Sequence, residues 1–235
     1  MTTHYDEEAQ VQQLRQWLRE NWFPLASGLA LGLAAIFGWQ GWGAHQDARA
    51  AEASHLFDDL GKAGDANKYD DAKAMADRLV KEFSDTPYAA AGALKLAQLA
   101  VQDNKPDEAA ARLQWVVDFE RHPGLLARLG AQLRLRHGAY DVALLPLARL
   151  RLAQVLWLQD KADEALKQLD GDAGAYASDF AELRGDIKLG QGDRTAARAD
   201  YEQALQGLGA ADTTGRQTGL QRKLDDLADA ATVKS

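Results

Sequence analysis

Residues 21–44 read NWFPLASGLALGLAAIFGWQGWGA, and no Asp, Glu, Lys or Arg occurs between Glu20 and Asp47. A bilayer core asks for roughly 20 apolar residues at about 1.5 Å rise each. This run supplies that length, with Pro24 expected in the first turn of the helix, where proline is tolerated. Trp17 and Trp22 flank one end of the run and Trp39 and Trp42 the other, where amphipathic indole rings favour the headgroup level. A buried core helix of a soluble protein would be shorter and would keep a polar stripe, which is missing here. The stretch is read as one transmembrane helix lying in the lipid bilayer.

Ahead of it the chain is acidic, with Asp6, Glu7 and Glu8 against Arg15 and Arg19, and the Ala44-His45-Gln46-Asp47 segment behind it has no small-x-small site. A cleavable signal peptide has the opposite character, a basic start and a cleavage site close behind, so an uncleaved anchor is expected. Orientation follows Lys and Arg near the ends. Arg15 and Arg19 precede the span and Arg49 alone follows closely, which favours residues 1–20 as a cytoplasmic tail, 21–44 as the membrane helix and 45–235 as a periplasmic domain. The chain has no cysteine, which excludes a lipidated cysteine, structural disulfides and thiolate metal sites and suits an oxidising compartment.

The whole chain carries 27 basic and 35 acidic residues; two of the former and four of the latter precede position 45, leaving a net charge of −6 on the remainder. Nucleic acid is an unsuitable partner for such a surface, because phosphate demands a basic footprint. A domain of about 190 residues, rich in Ala, Leu, Gln and Asp and poor in β-branched residues, is expected to be all-α.

Three segments of that domain superimpose: Leu96-Ala97 with Asn104 and Glu108-Ala109, Leu152-Ala153 with Asp160 and Glu164-Ala165, and Arg184-Gly185 with Gly192 and Ala196-Ala197. In each, a small residue of a first helix stands 12 positions before a small residue of a second. Turn residues intervene at Gln102 to Pro106, Gln159 to Ala162 and Gly190 to Asp193. Small residues at both positions permit close helix crossing, and the third segment adds Tyr201 and Ala204-Leu205. This resembles the tetratricopeptide repeat, a helix-turn-helix unit of about 34 residues. A weaker unit precedes, with Tyr69, Asp71-Ala72, Leu79 and Phe83 in its second helix and Pro87 closing it. Ala97 and Ala153 lie 56 residues apart, about 22 more than one period. An inserted amphipathic helix, or a lengthened repeat helix, is therefore expected in Gly124 to Asp141, where leucines alternate with Arg128, Arg134 and Arg136. After the turn formers of Gly207 to Gly215, Leu220, Leu224 and Leu227 share one face of a predicted helix from Gln217 to Ala230, and that helix reads as the cap that covers a solenoid's open edge. The predicted architecture is thus all-α: one N-terminal transmembrane helix, a tetratricopeptide-repeat-like α-solenoid and a C-terminal capping helix.

Catalytic signatures are missing. His4, His45, His55, His122 and His137 are scattered, and there is no HExxH pair, GxSxG elbow or glycine-rich phosphate loop. Asp170-Gly171-Asp172-Ala173-Gly174 opens like a calcium loop but has Ala175 where glycine and Ala181 where glutamate are needed, so it reads as a polar link between repeats. No cofactor, metal site or enzymatic activity is expected. In a stacked solenoid the first helices line a concave groove, and the repeat projects Leu94, Gln98 and Val101 beside Leu147, Leu150, Gln154 and Trp157. That apolar, amide-edged floor suits extended or helical segments of non-native chains, although core packing between repeats accounts for the same residues. Asp179, Glu182 and Asp186 extend the face, either to steer basic segments or as a solvated surface. Within the membrane, Gly28 and Gly32 form a GxxxG pair, as Ala34 and Gly38 form a small-xxx-small pair, and such spacing lets a partner helix approach closely.

Taken with these features, the start YDEEAQVQQLRQWLRENW and the ending GLQRKLDDLADA resemble the YfgM family of bacterial inner-membrane proteins, ancillary subunits of the SecYEG translocon. The likeness is most specific at Glu7 to Trp22 and Gln221 to Leu227, and Gly124 to Asp141 is longer than the family pattern. The resemblance implies an inner-membrane protein facing the periplasm that associates with the translocon and with a membrane-anchored periplasmic chaperone of the prolyl-isomerase type, PpiD, and that assists newly exported, still unfolded chains. The alternative is an envelope scaffold or stress-signalling regulator with no client binding of its own.

Overall fold

The computed structural model describes residues 3–121, 144–208 and 215–232, and every regular element among them is helical. Residues 1–49 form one compact unit and residues 50–235 another.

The first helix, α1 (Thr3–Asp65), starts well ahead of the apolar run, so Pro24 lies inside the helix rather than in its first turn. The cause is the preceding EEAQVQQLRQWLRE, made of strong helix formers that carry the helix up to the proline. Proline cannot donate to the carbonyl four residues back. Around it, Asn21 Nδ2 donates to the Trp17 carbonyl at 2.9 Å and Ser27 Oγ to the Pro24 carbonyl at 3.0 Å. Trp22, Phe23, Leu29, Leu31, Ile36 and Phe37 are each more than half exposed, and the apolar window of the helix has none of its residues buried in protein. A continuous apolar sleeve with its backbone bonded internally is the structure that lipid stabilises. This segment is the membrane anchor.

In the second unit the helices pair. α1 from Ala50 onward is followed by α2 (Tyr69–Glu82), α3 (Pro87–Gln102) by α4 (Pro106–Arg121), α5 (Leu144–Leu158) by α6 (Ala162–Gln168), and α7 (Ala177–Gly190) by α8 (Arg194–Leu208), with α9 (Arg216–Thr232) last. One turn design closes all four pairs. Asn67, Asn104, Asp160 and Gly192 sit at φ of +56°, +54°, +61° and +85°. The amide after each reaches five residues back: Lys68 to Ala63, Lys105 to Ala100, Lys161 to Leu156 and Asp193 to Lys188, at 2.9, 2.7, 2.9 and 2.9 Å. This is the Schellman closure, which needs a left-handed residue; glycine takes that conformation freely, and Asn and Asp tolerate it better than other side chains. The first turn of each second helix then buries an alanine, namely Ala72, Ala109, Ala165 and Ala197.

Against those alanines lie Ala97, Ala153 and Gly185, also buried. The last has no room for a side chain, since a Cβ at Gly185 would stand 2.5 Å from Cε1 of the buried Tyr201 ring. In the first pair the same register holds Leu60, fully buried with Leu79 and Leu96; such a side chain contributes roughly 1.5–3 kcal/mol by leaving water. Pro87 opens α3 at its first turn, with the Thr86 hydroxyl bonded to the Phe83 carbonyl at 2.8 Å.

The pairs stack in sequence: α3 on α2, α4 on α3, α5 on α4, and α9 on α8. The 56-residue spacing therefore does not interrupt the stack, and the insertion expected at Gly124 to Asp141 falls outside the described residues. A repeated clasp joins successive units. Gln159, just before one left-handed turn residue, donates to Asp107 Oδ1 at 3.0 Å, and Gln191, just before the next, donates to Asp163 Oδ1 at 3.2 Å. The second helix of the third unit is cut to seven residues. Beyond it Asp172 Oδ1 accepts from the Gly174 amide at 2.9 Å and the Asp172 carbonyl accepts from Arg149 Nη1 at 3.3 Å. The would-be calcium loop is thus an aspartate turn leading into a single 3-10 turn at Gly174–Tyr176, and no cluster of metal-ligating side chains exists among the described residues.

Candidate peptide-binding groove

Between α3 and α5 runs a groove of about 630 Å³, inside the range of typical ligand sites. Its floor is core: Ala97, Leu113 and Val155 are nearly inaccessible yet form its base. Of the residues the repeat projects onto this face, Leu94, Gln98 and Val101 of α3 and Leu147 and Gln154 of α5 line it together. The other two lie elsewhere. Leu150 is 4% exposed and belongs to the main core cluster. Trp157, 36% exposed, sits with its indole beside Gly190, whose Cβ position would be 3.9 Å from it.

The α5 wall consists of Leu147, Arg151, Gln154 and Leu158, a register one residue round from a Leu147, Leu150, Gln154, Trp157 stripe at its second and fourth positions. Because α5 reads LLPLARLRLAQVLWL, apolar on nearly every face, its own periodicity cannot say which face is open; tertiary packing decides it by drawing Leu150 into the core. Two charges that line the groove, Lys95 of α3 and Arg151 of α5, are not among the residues the repeat projects. Lys95 adjoins Leu94 in sequence, which is the only signal that would have placed it there.

The acidic row at the far end of the face is neither free nor simply solvated. Arg216 Nη2 bonds Asp179 at 3.2 Å and Glu182 at 3.1 Å, while Lys223 Nζ bonds Glu182 at 2.9 Å and Asp186 at 2.6 Å. The Tyr201 hydroxyl donates to the same Asp186 oxygen at 2.8 Å. Burial alone would raise the Glu182 carboxyl, but the hydrogen bonds and charges of Lys223 and Arg216 outweigh it and hold the group below the usual carboxylate value. Burial likewise opposes the Lys223 ammonium, and Asp186 and Glu182 prevail, raising it. Tyr201 is raised chiefly by burial and then by its bond to Asp186. The apolar side of α9 completes the joint, with Leu220 and Leu227 buried against Ala181, Ala197, Tyr201 and Ala204. The C-terminal helix is therefore the cap, and it occupies the acidic end of the face with its own cations.

Gly28 and Gly32 lie on the exposed anchor, with open space where a Cβ would project from either.

An apolar single-span anchor followed by four Schellman-closed helix pairs and a cap, among the described residues, defines a membrane-anchored repeat protein of the tetratricopeptide class. Comparison narrows this. The family model described as a tetratricopeptide repeat-like domain matches residues 15–147 and again 136–229. The ancillary SecYEG translocon subunit of Escherichia coli is 32% identical over 229 residues, 97% of this chain and 100% of the relative. That of Haemophilus influenzae is 30% identical, covering 88% of this chain and 92% of the relative. The protein of the same name from Neisseria gonorrhoeae is 27% identical over 233 residues, 97% of this chain and 100% of its own length. The chain belongs to the family of ancillary SecYEG translocon subunits, built on a tetratricopeptide repeat-like domain. That fold is a non-enzymatic interaction fold. Among solved structures, BtubC from P. vanneervenii aligns with a TM-score of 0.53 at 14% identity, over 80% of this chain and 84% of its own. The MamA protein aligns at 0.50 and 14%, over 77% and 91%. At that identity the likeness concerns the fold alone.

Proposed function

We propose that the protein is a translocon-associated binding subunit whose repeat groove holds segments of chains emerging into the periplasm. On this reading residues 1–20 lie in the cytoplasm, residues 21–44 cross the inner membrane and residues 45–235 face the periplasm beside SecYEG. A membrane-anchored chaperone of the PpiD type is the second protein partner, and Gly28 and Gly32 give a close-packing face for a neighbouring membrane helix. The observation that carries the reading is the groove itself: an apolar floor rimmed by the amides of Gln98 and Gln154, which can satisfy a peptide backbone while its side chains leave water. Relatives that carry the translocon in their name, two of them matched along their full length, support the location.

Photocrosslinking tests both halves. A benzophenone amino acid at position 98 or 154 is expected to trap exported chains arrested during translocation, and one at position 28 or 32 to trap a translocon or chaperone helix. Products with lipid alone from 28 and 32 remove the membrane-packing part, and the absence of exported chain from both 98 and 154 removes the groove. Because the chain has no cysteine, Ser235→Cys and Thr2→Cys read orientation directly: an impermeant maleimide added from the periplasmic side should label the first and spare the second.

A further inference from the structure

The groove is chemically one-sided. Lys95 on α3 and Arg151 on α5 both line it, and among the described residues that line it none is acidic, in a chain of net charge −8. Arg151 Nη1 bonds the neutral Gln154 Oε1 at 3.0 Å. Neither Lys95 nor Arg151 has a carboxylate partner among the described residues. The contrast with other interhelical cations of the domain is sharp. Lys73 pairs with Glu108, Arg112 with Asp77, Arg184 and Lys188 with Asp200, and Arg216 and Lys223 with the acidic row of α7.

Cations on both sides of an apolar floor attract a carboxylate seated between them, through charge complementarity. Two such cations lie on opposite walls, with apolar side chains between them and amides beside them. The same positions repel a basic segment. The opposite charge preference is already satisfied at the other end of the face, where α9 supplies the cations.

We infer that the occupant of the groove is an acidic amphipathic polypeptide segment. Its apolar side chains seat over Ala97, Leu113 and Val155, and Asp or Glu residues flanking that stripe meet Lys95 and Arg151. This deepens the peptide-binding reading and rests on it.

Full-length protein in mild detergent is titrated against three fluorescent peptides that share one apolar stripe and differ only in flanking residues, Glu, Gln or Lys. The Glu peptide is expected to bind about tenfold more tightly than the Gln peptide, and the Lys peptide most weakly. The Glu-over-Gln preference should shrink between 0.1 M and 1 M salt as the screening length falls from about 10 Å to about 3 Å. The Lys95→Gln, Arg151→Gln double variant should lose the preference, binding the Glu and Gln peptides equally. Equal binding of Glu and Gln peptides by the unaltered protein, or tighter binding of the Lys peptide, overturns the acidic preference and leaves the groove as a peptide site. A preference that survives the double variant overturns the assignment to these two cations. Binding of none of the three peptides overturns the groove reading and this inference with it.

Discussion

Replacing Gly185 by alanine adds one methyl group at the close crossing of α7 and α8, and its effect can be worked from the geometry. The new Cβ would lie 2.5 and 2.6 Å from two carbons of the Tyr201 ring and 3.2 Å from the Ala197 carbonyl oxygen. Carbon contacts are optimal near 3.5–4.0 Å, so the ring must retreat by about 1 Å. It has little room, being fully buried with its hydroxyl bonded to Asp186 at 2.8 Å. Overpacking of this kind costs about 1–3 kcal/mol, and the clash with both ring and backbone places it toward the upper end. Alanine returns about 1 kcal/mol of helix propensity over glycine, which leaves a net loss of about 1–2 kcal/mol. For a domain of this size each kcal/mol moves the midpoint by roughly 2–4 °C, giving a fall of about 2–8 °C. Gly219→Ala is the matched control, since nothing lies within 4 Å of its Cβ position; the same chemical change there should raise stability by up to about 1 kcal/mol. Thermal melts of the detergent-solubilised protein followed by circular dichroism at 222 nm read both. Melting of Gly185→Ala at or above the temperature of the unaltered protein would refute the packing described for the last helix pair.

Asn104, at φ +54°, should tolerate glycine with little loss or a small gain, whereas Asn104→Ala should cost about 1–2 kcal/mol from left-handed strain; urea midpoints distinguish the two. Leu220→Ala empties a fully buried site under the cap and should cost about 2–5 kcal/mol, read as faster amide exchange across α9 and α8 before α3 and α4 respond. Glu182 is held below its unfolded value of about 4.3, so its contribution is complete above that pH and is lost as pH falls through the lowered folded value. Lys223 is held above its unfolded value of about 10.4, so its contribution is complete below that pH and is lost as pH rises through the raised folded value. Urea midpoints against pH should therefore show a constant gap between the protein and Glu182→Gln from about pH 5 to 9, closing in acid; a gap that widens in acid contradicts the sign.

Local rules carried most of the fold. The charge-free run of 21–44 needed only its length, and the 12-residue spacing of Ala97 and Ala109, or of Gly185 and Ala197, follows from what two crossing helices require of their contact points. The Asn, Asp and Gly of the last three turns were readable because left-handed backbone admits few side chains. Contacts distant in sequence were less accessible. Arg216 and Lys223 are 37 residues from Asp179 and Asp186 respectively, and no periodicity links the two helices, so the acidic row looked available when it was already paired. The open face of α5 was hidden by a helix apolar on most sides, and the start of α1 by the pull of the apolar run, which drew attention from the strong helix formers ahead of it.

The cap on the last helix pair also governs what the molecule does with copies of itself. A stack of like units has a growing end wherever an apolar edge is left bare, and a bare edge that fits the opposite end of another copy builds open filaments rather than closed oligomers. Leu220 and Leu227 cover that edge, and the cations of α9 tie the cover down. The repeat array thereby ends in a covered face rather than a bare apolar edge.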